Sequence, residues 1–363
     1  MTEKFDFAPD PEIRCRDYAI GAIGAGFIMA DVQLAAYHKA GFNVHAITSR
    51  SRSKAADVAK RWGIPVVHEN IGALLADPAI EIVDIAYPPH LQGQVIEQAV
   101  QQPHIKGILA QKPLAMDFAE AKRLVELCHS HGKVLSVNQN MRYDQSMRVL
   151  KQILGRGQLG KPVMVTIEMR AIPHWQEFLK EYGRLTLLNM SIHHFDAMRF
   201  LFGEVDEIST VARQDPRTQF EHTDGICVST FKFASGVLGL SIDDTWASPT
   251  DGEIESDIFI RWRVEGEKGL AKGTIGWPDY PDGSPSTLSF CAPVTGGKWL
   301  TPTWETMWFP DAFAGVMEQL QYALKSNEEA ALTGSDHLRT MALVEAGYKS
   351  IEEHRAINPQ EIS

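Results

Sequence analysis

Residues 17–30 read DYAIGAIGAGFIMA, and this stretch decides the fold of the N-terminal half of the chain. An apolar run at 18–23 is followed by a Gly-Ala-Gly turn and then by a helical pattern over 27–40. This order predicts a strand, a tight turn and a helix. A helix N-terminus exposes N–H groups and a partial positive charge, and glycines let a pyrophosphate approach that backbone closely.

The turn is therefore a candidate dinucleotide cradle. Gly24 and Gly26 supply the first two glycines of a G-x-G-x-x-G pattern, and Met29 stands where the third would fall. Two glycines after a strand are also compatible with an ordinary strand-to-helix turn. We assign cofactor contacts to the turn and to the two residues that follow it, Phe27 and Ile28.

Beyond the turn, short apolar runs alternate with helical patterns as far as residue 140. Alternation of this kind predicts βαβ units and a doubly wound parallel sheet, the α/β Rossmann architecture. The predicted strands are 43–48, 65–68, 81–87, 106–110 and 133–138, and the predicted helices are 53–62 (with Ser53 as N-cap), 90–102 and 118–130 (with Asp117 as N-cap).

The pattern changes near residue 140, where strands begin to follow one another without intervening helices. This predicts an α+β domain with a large open antiparallel sheet. Its expected strands are 163–171, 207–213, 226–233, 237–246 and 257–265, with helices at 145–154, 187–201, 312–325 and 336–353 and an irregular stretch at 277–298. We thus divide the chain into an arm at 1–16, a dinucleotide-binding domain at 17–140 and a substrate-binding and oligomerisation domain at 141–363.

Bulk composition narrows the class of protein. The chain has 363 residues, 44% of them hydrophobic, and a net charge of −11, which argues against nucleic acid or an anionic membrane as a partner. Its N-terminal residues are polar and no apolar run approaches about 20 residues, so neither a secretory signal nor a transmembrane helix is expected. The four cysteines form no C-x-x-C pair, and we expect reduced thiols in a cytoplasmic protein.

The end of the second strand is expected to choose the nucleotide. An acid there would bind the ribose 2′-hydroxyl of NAD, but the segment after Thr48 is SRSR. Ser49 can donate to a 2′-phosphate, and the guanidinium groups of Arg50 and Arg52 suit phosphate oxygens. We expect NADP(H) to be preferred and NAD(H) to be the alternative. If both arginines face solvent, either nucleotide would be accepted.

Two later strand ends carry polar residues to the same edge of the sheet. They read Tyr87-Pro88-Pro89-His90 and Gln111-Lys112-Pro113, and ligands of open parallel sheets bind beyond such ends. The ammonium group of Lys112 could stabilise a developing alkoxide there. On composition alone, a lysine in a surface loop is the competing interpretation.

The block 187–196, LLNMSIHHFD, carries the second candidate group. Asn189 and His193 are spaced i, i+4 on one helical face, and Asp196 follows three residues later. His193 could take a proton from a carbinol, although a histidine in an apolar helix is more often packed or hydrogen-bonded. His193 and His194 could be combined with His174 or His222 in a metal site, but no ligand spacing supports one and we predict no metal.

Taken together, these segments resemble the Gfo/Idh/MocA family of nicotinamide-dependent oxidoreductases, which includes glucose–fructose oxidoreductase and inositol dehydrogenases. The resemblance runs from Tyr18 to about Ile357. It rests on IGAIGAGFI, SRSRSKAADVAKRWGI, DIAYPPHLQGQVIEQAV, LAQKPLAMDFAEAKRLVELC, LGKPVMV and LLNMSIHHFDAMRFLFG. It implies a Rossmann domain followed by a domain built on a large open antiparallel sheet.

The resemblance also implies roles for residues. Lys112 matches the lysine of the family's E-K-P motif and His193 the histidine of its D-x-x-x-H motif, which makes them the implied catalytic pair. Asp196 matches a carboxylate that often follows that histidine. The loop Tyr87, Pro88 and His90 would border the nicotinamide beside Gln111 and Lys112, and Asn140 and Arg142 match positions near the substrate pocket.

Three positions depart from the family pattern. Gln111 replaces a glutamate, Asn189 replaces the first aspartate of D-x-x-x-H, and Met29 replaces the third glycine. These changes bear on the strength of catalysis more than on its class, because Lys112 and His193 are both retained.

The expected function is therefore hydride transfer between a nicotinamide and a secondary alcohol or keto group of a sugar, polyol or sugar acid. Two other classes compete: a nicotinamide-sensing regulatory or binding protein, and a redox-assisted lyase or glycosidase. Besides Lys112 and His193, the expected substrate contacts are Asn140, Arg142, Trp175 and Asn189, with Arg170, His174 and Trp246 as further pocket candidates.

We also expect a homo-oligomer, a dimer or a tetramer. The strand-like runs of the second domain are apolar on both faces, for example at Val237, Leu238, Leu240 and Ile242. A broad apolar sheet face usually marks an interface.

Overall fold

A computed structural model describes residues 5–171, 177–218, 220–245, 257–276 and 283–362. The chain forms two compact units. The Rossmann unit contains Pro11–Asn140 and Phe309–Arg339, and the sheet unit contains the residues before Pro11, Met141–Trp308 and the residues from Thr340 onward. The units divide at the predicted position, 140/141, but residues 309–339 were predicted to belong to the second domain and the arm is shared between both units.

The Rossmann unit is built on a six-stranded sheet in the order β3-β2-β1-β4-β5-β6, and every neighbouring pair is parallel. This confirms the predicted doubly wound sheet. All residues of β1, β4 and β5 are buried, which explains their unbroken apolar runs. The strands are β1 (Ile20–Ile23), β2 (Val44–Thr48), β3 (Val66–Val67), β4 (Ile82–Ile85), β5 (Gly107–Ala110) and β6 (Val134–Val137).

The helices of this unit include one departure at the first turn. Residues Ile28–Gln33 form a π-helical segment, which widens the helix before it continues as α1. The predicted helix over 27–40 therefore exists, but its first half is not α-helical. The α-helices are α1 (Leu34–Ala40), α2 (Arg52–Trp62), α3 (Ile71–Leu75), α4 (Pro89–Val100), α5 (Phe118–Ser130) and α8 (Ala312–Ser326). The last of these follows the long central segment of the sheet unit in the sequence.

Helix capping was predicted with mixed success. Asp117 caps α5 by accepting a hydrogen bond from the Glu120 N–H at 2.9 Å, as predicted. The prediction of Ser53 as the cap of α2 is wrong: Ser51 is the N-cap and accepts from the Lys54 N–H. Several hydroxyls follow one another here, so composition alone does not identify the capping residue.

The sheet unit contains a seven-stranded sheet in the order β13-β12-β11-β7-β10-β9-β8. Five of its six strand pairs are antiparallel, and β10 pairs with β7 in parallel, so the predicted antiparallel sheet is in fact mixed. Its strands are β7 (Pro162–Arg170), β8 (Val205–Arg213), β9 (Ile226–Phe233), β10 (Leu238–Asp244), β11 (Phe259–Gly266), β12 (Leu270–Ile275) and β13 (Thr287–Cys291).

Two of these strands were not predicted. β12 was missed, and β13 lies inside the stretch 277–298 that was expected to be irregular. The helices were found at their predicted places, but residues Leu187–Ser191 at the start of the expected helix 187–201 are π-helical. The helices are α6 (Gln145–Gly155), α7 (Ile192–Phe202) and α9 (Gly334–Glu353), of which residues 334–339 belong to the Rossmann unit.

The seven-stranded sheet buries one face and leaves the other partly open. In β10, Gly239, Ser241 and Asp243 are buried, whereas Leu238 is 57% exposed. Val237, named among the apolar residues of both faces, is buried. We call the exposed side the open face. Its apolar centre lies on the neighbouring strands β7, β10, β9 and β8. It comprises Met164, Leu238, Leu240, Ile242, Val228 and Val211.

Charged residues border this centre. Along one row of cross-strand partners, Ile242 is followed by Glu168 and then by Arg261. Within the described ranges, no helix is long and apolar enough to cross a lipid bilayer.

Candidate active site

The glycine turn after β1 is held by backbone contacts at three strand ends. Gly24 has a φ of +121°, and a Cβ there would lie 2.7 Å from the Ala86 carbonyl oxygen. Its N–H donates to the Thr48 carbonyl at 2.9 Å. No residue but glycine fits this conformation and this space, because both the positive φ and the contact exclude a side chain.

Gly26 differs, because it is exposed and a Cβ there would meet nothing within 4 Å. The space beside its backbone is open at the entry of the first helix, where a diphosphate could approach. Phe27 and Ile28 are half-buried, and Met29 is fully buried. These residues fit a dinucleotide, with Met29 in the π-helical segment facing the interior in place of the usual third glycine.

The residues after β2 form a short polar loop. Ser49 Oγ accepts from the Ser51 N–H at 3.4 Å, and Arg50 is exposed. Arg52 lies 3.9 Å from Glu69, and both side chains are largely exposed. Such an exposed ion pair is weak, so the Arg52 guanidinium stays available to an anionic ligand.

The loop after β4 carries the predicted nicotinamide border. Burial raises the pKa of Tyr87, and the nearby Arg50 guanidinium partly offsets this by lowering it. The Pro88 carbonyl, just before α4, accepts from the Leu91 N–H at 2.9 Å, and His90 is exposed in the first turn of that helix. β2 and β4 both flank β1 in the sheet, and the order of the strands reverses between β1 and β4, which is where ligands of such sheets bind.

The turn that carries Lys112 is held by the fully buried side chain of Gln92 on α4. Gln92 Oε1 accepts from the Gln111 N–H at 3.0 Å. Its Nε2 lies within hydrogen-bond distance of the carbonyls of Gln111, Pro113 and Leu114, at 2.9, 2.7 and 3.0 Å. One amide thus fixes the backbone on both sides of Lys112.

Lys112 itself is half-buried, and loss of hydration lowers the pKa of its ammonium group to about 7. At neutral pH it therefore exists in both charged and neutral forms. A group with this property can stabilise an alkoxide or exchange a proton with it. The turn is held from a second element by His337 of α9, whose Nε2 accepts from the Leu114 N–H at 3.3 Å.

His193 lies in the first turn of α7, and only 5% of its surface is exposed. Its ring packs edge-on against Trp308, with centroids 6.0 Å apart. Asn189 is also buried, but it lies in the π-helical segment rather than in α7. The predicted single helical face therefore spans a change of helix type.

Arg142 and Asp196 form a buried ion pair. The Arg142 guanidinium donates to both carboxylate oxygens of Asp196, each at 2.6 Å, and the Thr340 hydroxyl donates to the same carboxylate at 2.8 Å. Asp196 thus anchors a residue that was predicted to lie near substrate. Two of the N–H groups of Arg142 donate to Asp196. The contact of Arg142 with substrate stays a prediction.

A second carboxylate–imidazole pair was not foreseen. Asp243 on β10 accepts from His194 Nδ1 at 2.7 Å and from the hydroxyls of Ser191 and Ser241 at 2.7 and 2.8 Å. Burial raises the pKa of Asp243, but the His194 imidazole and the two hydroxyls outweigh it, so the pKa lies below its usual range. The pair joins β10 to the start of α7, next to His193.

The remaining predicted residues are distributed as follows. Asn140, which is buried, donates to Asn138, while Arg170 ends β7. His222 is held within its own loop, where its Nε2 accepts from the Asp215 N–H. Trp175, His174 and Trp246 lie outside the described residues. Among the residues that the structure describes, no group of three or more His, Cys, Asp or Glu side chains could hold a metal ion.

Two family models match the chain. Residues 18–139 match the oxidoreductase family with an NAD-binding Rossmann fold, and residues 147–272 match the GFO/IDH/MocA C-terminal domain. The chain belongs to the Gfo/Idh/MocA oxidoreductase family. The resemblance drawn from the sequence motifs is thereby confirmed, together with the order of the two domains.

Named relatives extend over nearly the whole chain of this Gfo/Idh/MocA protein. It is 25% identical to D-apiose dehydrogenase of Rhizobium rhizogenes over 93% of this chain and 96% of that protein. It is 22% identical to myo-inositol 2-dehydrogenase of Thermotoga maritima over 88% and 92% of the two chains.

A solved structure shares its fold. An oxidoreductase from Agrobacterium radiobacter, in complex with NAD+, L-tartaric acid and magnesium, superposes with a TM-score of 0.80 at 22% identity, covering 95% of this chain and 99% of that one.

The lowered pKa of Lys112 makes a prediction about stability. An ordinary lysine has a pKa near about 10.4, so between pH 7 and about 10 the unfolded chain holds a proton that the folded chain has released. The free energy of unfolding contributed by Lys112 therefore rises with pH across this window. Lys112→Met should remove that rise, as measured by urea unfolding at several pH values.

The matched control is Lys122→Met, since Lys122 is exposed on α5. This variant should keep the wild-type pH dependence. Identical profiles for wild type and Lys112→Met would contradict a lowered pKa at Lys112.

Proposed function

We propose that this oxidoreductase transfers hydride between NAD(P) and a secondary alcohol or keto group of a sugar, polyol or sugar acid. The observation that carries the proposal is the Lys112 turn: a half-buried lysine whose pKa is lowered to about 7, fixed at the carboxyl edge of the NAD-binding sheet. Relatives named as D-apiose and myo-inositol dehydrogenases favour a polyhydroxylated substrate.

In this proposal two side chains of the protein handle the oxygen and its proton. Lys112 polarises the substrate oxygen, and its partly desolvated ammonium form stabilises negative charge there better than a fully hydrated one. His193 moves the hydroxyl proton. A bound nicotinamide accepts or supplies the hydride. Asn140, Arg142, Trp175 and Asn189 are proposed to contact the substrate.

The cradle for the cofactor is proposed to combine the turn after β1 with the loops after β2, β4 and β5. Backbone N–H groups of the first helix would hold the diphosphate, and the half-buried Tyr87 would pack at the nicotinamide side. The residues assigned to it are Gly24, Gly26, Phe27, Ile28, Ser49, Arg50, Arg52, Tyr87, Pro88, His90, Gln111 and Lys112.

The catalytic pair is tested by truncation. Lys112→Ala and His193→Ala should each reduce turnover at least about 100-fold, because positioned acid–base or electrostatic help is commonly worth about 10² to 10⁴. Initial rates are measured with a panel of polyols, sugars and sugar acids in the presence of each nucleotide. Lys122→Ala and His129→Ala, both exposed on α5, serve as matched controls and should retain wild-type rates.

Three results would point away from this mechanism. Near-native turnover of both variants on a true substrate would contradict the assigned roles. Tight nucleotide binding without turnover would support a nicotinamide-sensing protein, for which the changes at Gln111 and Asn189 leave room. Product formation without net change in NADPH would support a lyase or glycosidase that regenerates its own cofactor.

Cofactor choice is proposed from the loop after β2. Ser49 stands where NAD-using relatives tend to carry an acid. Arg50 and Arg52, which follow it, are both exposed, so acceptance of either nucleotide is the competing outcome. One charge-assisted hydrogen bond to a 2′-phosphate is worth about 1.5–3 kcal/mol, or roughly tenfold in affinity and more. We therefore propose that NADP(H) is preferred over NAD(H).

Ser49→Asp tests this preference, because its carboxylate would repel a 2′-phosphate. NADPH should bind more tightly than NADH to the wild type, and the variant should weaken NADPH binding more than NADH binding. Both are titrated by fluorescence. Ser53→Asp adds the same charge to an exposed position in the first turn of α2 and should leave the ratio nearly unchanged. Tighter NADH binding to the wild-type protein would refute the preference.

The open face of the sheet is proposed to join two copies of the chain in a dimer or tetramer. Its apolar centre includes Val211, 67% exposed, and Leu238, 57% exposed, with charged residues around it. Contiguous apolar surface of this kind usually marks an interface.

Ile242→Glu combined with Leu238→Glu should convert the oligomer to a monomer, since two carboxylates would be buried at the interface. Sedimentation velocity at micromolar concentration measures this. Ala56→Glu on the exposed side of α2 is the control and should sediment as the wild type. A wild-type protein that is only monomeric would contradict the interface.

The proposed compartment is the reducing cytoplasm. All four cysteines are free thiols, and Cys15, Cys128 and Cys227 are buried. Unpaired cysteines in protein interiors are typical of proteins kept under reducing conditions.

A further inference from the structure

A line of side-chain amides in the Rossmann unit ends on a buried carboxylate. Gln33 Nε2 donates to both oxygens of Asp84, at 2.8 and 2.7 Å. Gln111 Nε2 donates to Gln33 Oε1 at 3.2 Å, and Asn138 Nδ2 donates to Gln111 Oε1 at 3.4 Å. Asn140 Nδ2 in turn donates to Asn138 Oδ1 at 3.2 Å. We call these four amides the amide relay.

Most of the relay is shielded from water, and Gln111 is its half-buried member. Asp84, Gln33 and Asn138 have no exposed surface, and Asn140 is 4% exposed. Asp84 lies in the middle of the otherwise apolar strand β4, where the Tyr37 hydroxyl also donates to its carboxylate at 2.7 Å. Burial raises the pKa of Asp84 to about 7, against the hydrogen bonds of Tyr37 and Gln33, so above neutral pH it is an anion.

The carboxylate imposes one direction on every amide of the relay. An ionised carboxylate only accepts hydrogen bonds, so Gln33 must turn its NH2 group toward Asp84 and its oxygen toward Gln111. Gln111 must then present its NH2 group to Gln33 and its oxygen to Asn138. Reversing any amide would set two acceptors or two donors against each other in a buried place, which is costly.

Gln111 connects the amide relay to the turn that carries Lys112. Its side chain lies between Gln33 and Asn138, its N–H and carbonyl are bound by Gln92, and Lys112 follows it in the chain. We propose that Asp84 and Gln33 are positioning residues: they set the hydrogen-bonding direction of the amide relay and thereby hold the backbone that carries Lys112. This rests on the proposed function, since Lys112 is the group that is positioned.

The proposal explains the glutamine at position 111. A glutamate there would place a carboxylate against Gln33 Oε1, two acceptors with no proton between them. The network tolerates one carboxylate, and this chain has it on β4 at Asp84. Gln111→Glu should therefore be harmful here, although Gfo/Idh/MocA proteins are expected to carry a glutamate at this position.

A double-mutant cycle tests this coupling. The variants are Asp84→Asn, Gln111→Glu, and the two combined. In the combination, the amide introduced at position 84 can turn its NH2 group to Gln33 Oε1. Gln33 can then donate to the carboxylate introduced at position 111, so a donor faces an acceptor at each step from position 84 through Gln33 to position 111. We expect Gln111→Glu to lower the urea midpoint and to weaken NADPH binding about tenfold, and the combination to recover most of both losses.

The matched control replaces Gln111 by alanine. Gln111→Ala has no carboxylate to accommodate, so adding Asp84→Asn to it should bring no recovery. Additive effects in the glutamate cycle, or a harmless Gln111→Glu, would overturn the proposal. If Gln111→Glu does not fold, a folded double variant supports the coupling and an unfolded one refutes it.

Two readouts separate this proposal from the proposed function. The unfolding cycle needs neither cofactor nor substrate, so coupling in stability without any nucleotide binding would sink the dehydrogenase function and leave the relay standing. Recovery of stability with nucleotide affinity unchanged throughout would show a relay that does not position the Lys112 turn, which overturns the positioning role.

Discussion

The contact between Gly24 and the carbonyl of Ala86 is the constraint on which the nucleotide edge of the Rossmann unit depends. It brings the turn after β1 against the end of β4 at a distance that no side chain tolerates. Gly24 also donates to Thr48, and Ala86 donates to Ile23, so three strand ends converge on one point. These backbone contacts fix where the loops after β1, β2 and β4 begin. The side chains of the loops take no part in this constraint.

Most strands and helices could be predicted because the burial of each element leaves a regular pattern of apolar residues in the sequence. Continuous apolar runs predicted the parallel strands, and strand-like runs that follow one another without intervening helices predicted five strands of the larger sheet. β12, LAKGTI, was missed because a lysine and a glycine interrupt its apolar pattern, and β13 because it follows a stretch rich in turn-forming residues. The parallel pairing of β7 with β10 depends on strand order, which local periodicity does not encode.

Within the candidate site, the sequence carried a signal only for the groups proposed to be reactive. Lys112 and His193 carry motif signals, whereas Gln92, whose amide lies within hydrogen-bond distance of four backbone groups around the Lys112 turn, has none. Asp84 offered one usable signal, an acid within the apolar strand IVDI. The pairing of Arg142 with Asp196 joins residues 54 positions apart, so their mutual neutralisation could not be inferred from either one alone.

The two π-helical segments, Ile28–Gln33 and Leu187–Ser191, have an evolutionary consequence. A π turn accommodates one more residue than an α turn over the same rise, so it is the form a helix takes after a single-residue insertion. Removing one residue from either segment could restore an α-helix without disturbing the strands on either side. Homologues that are one residue shorter at either place would share the same architecture. When such sequences are aligned, the position chosen for the one-residue gap decides which of their residues is compared with Met29 or Asn189.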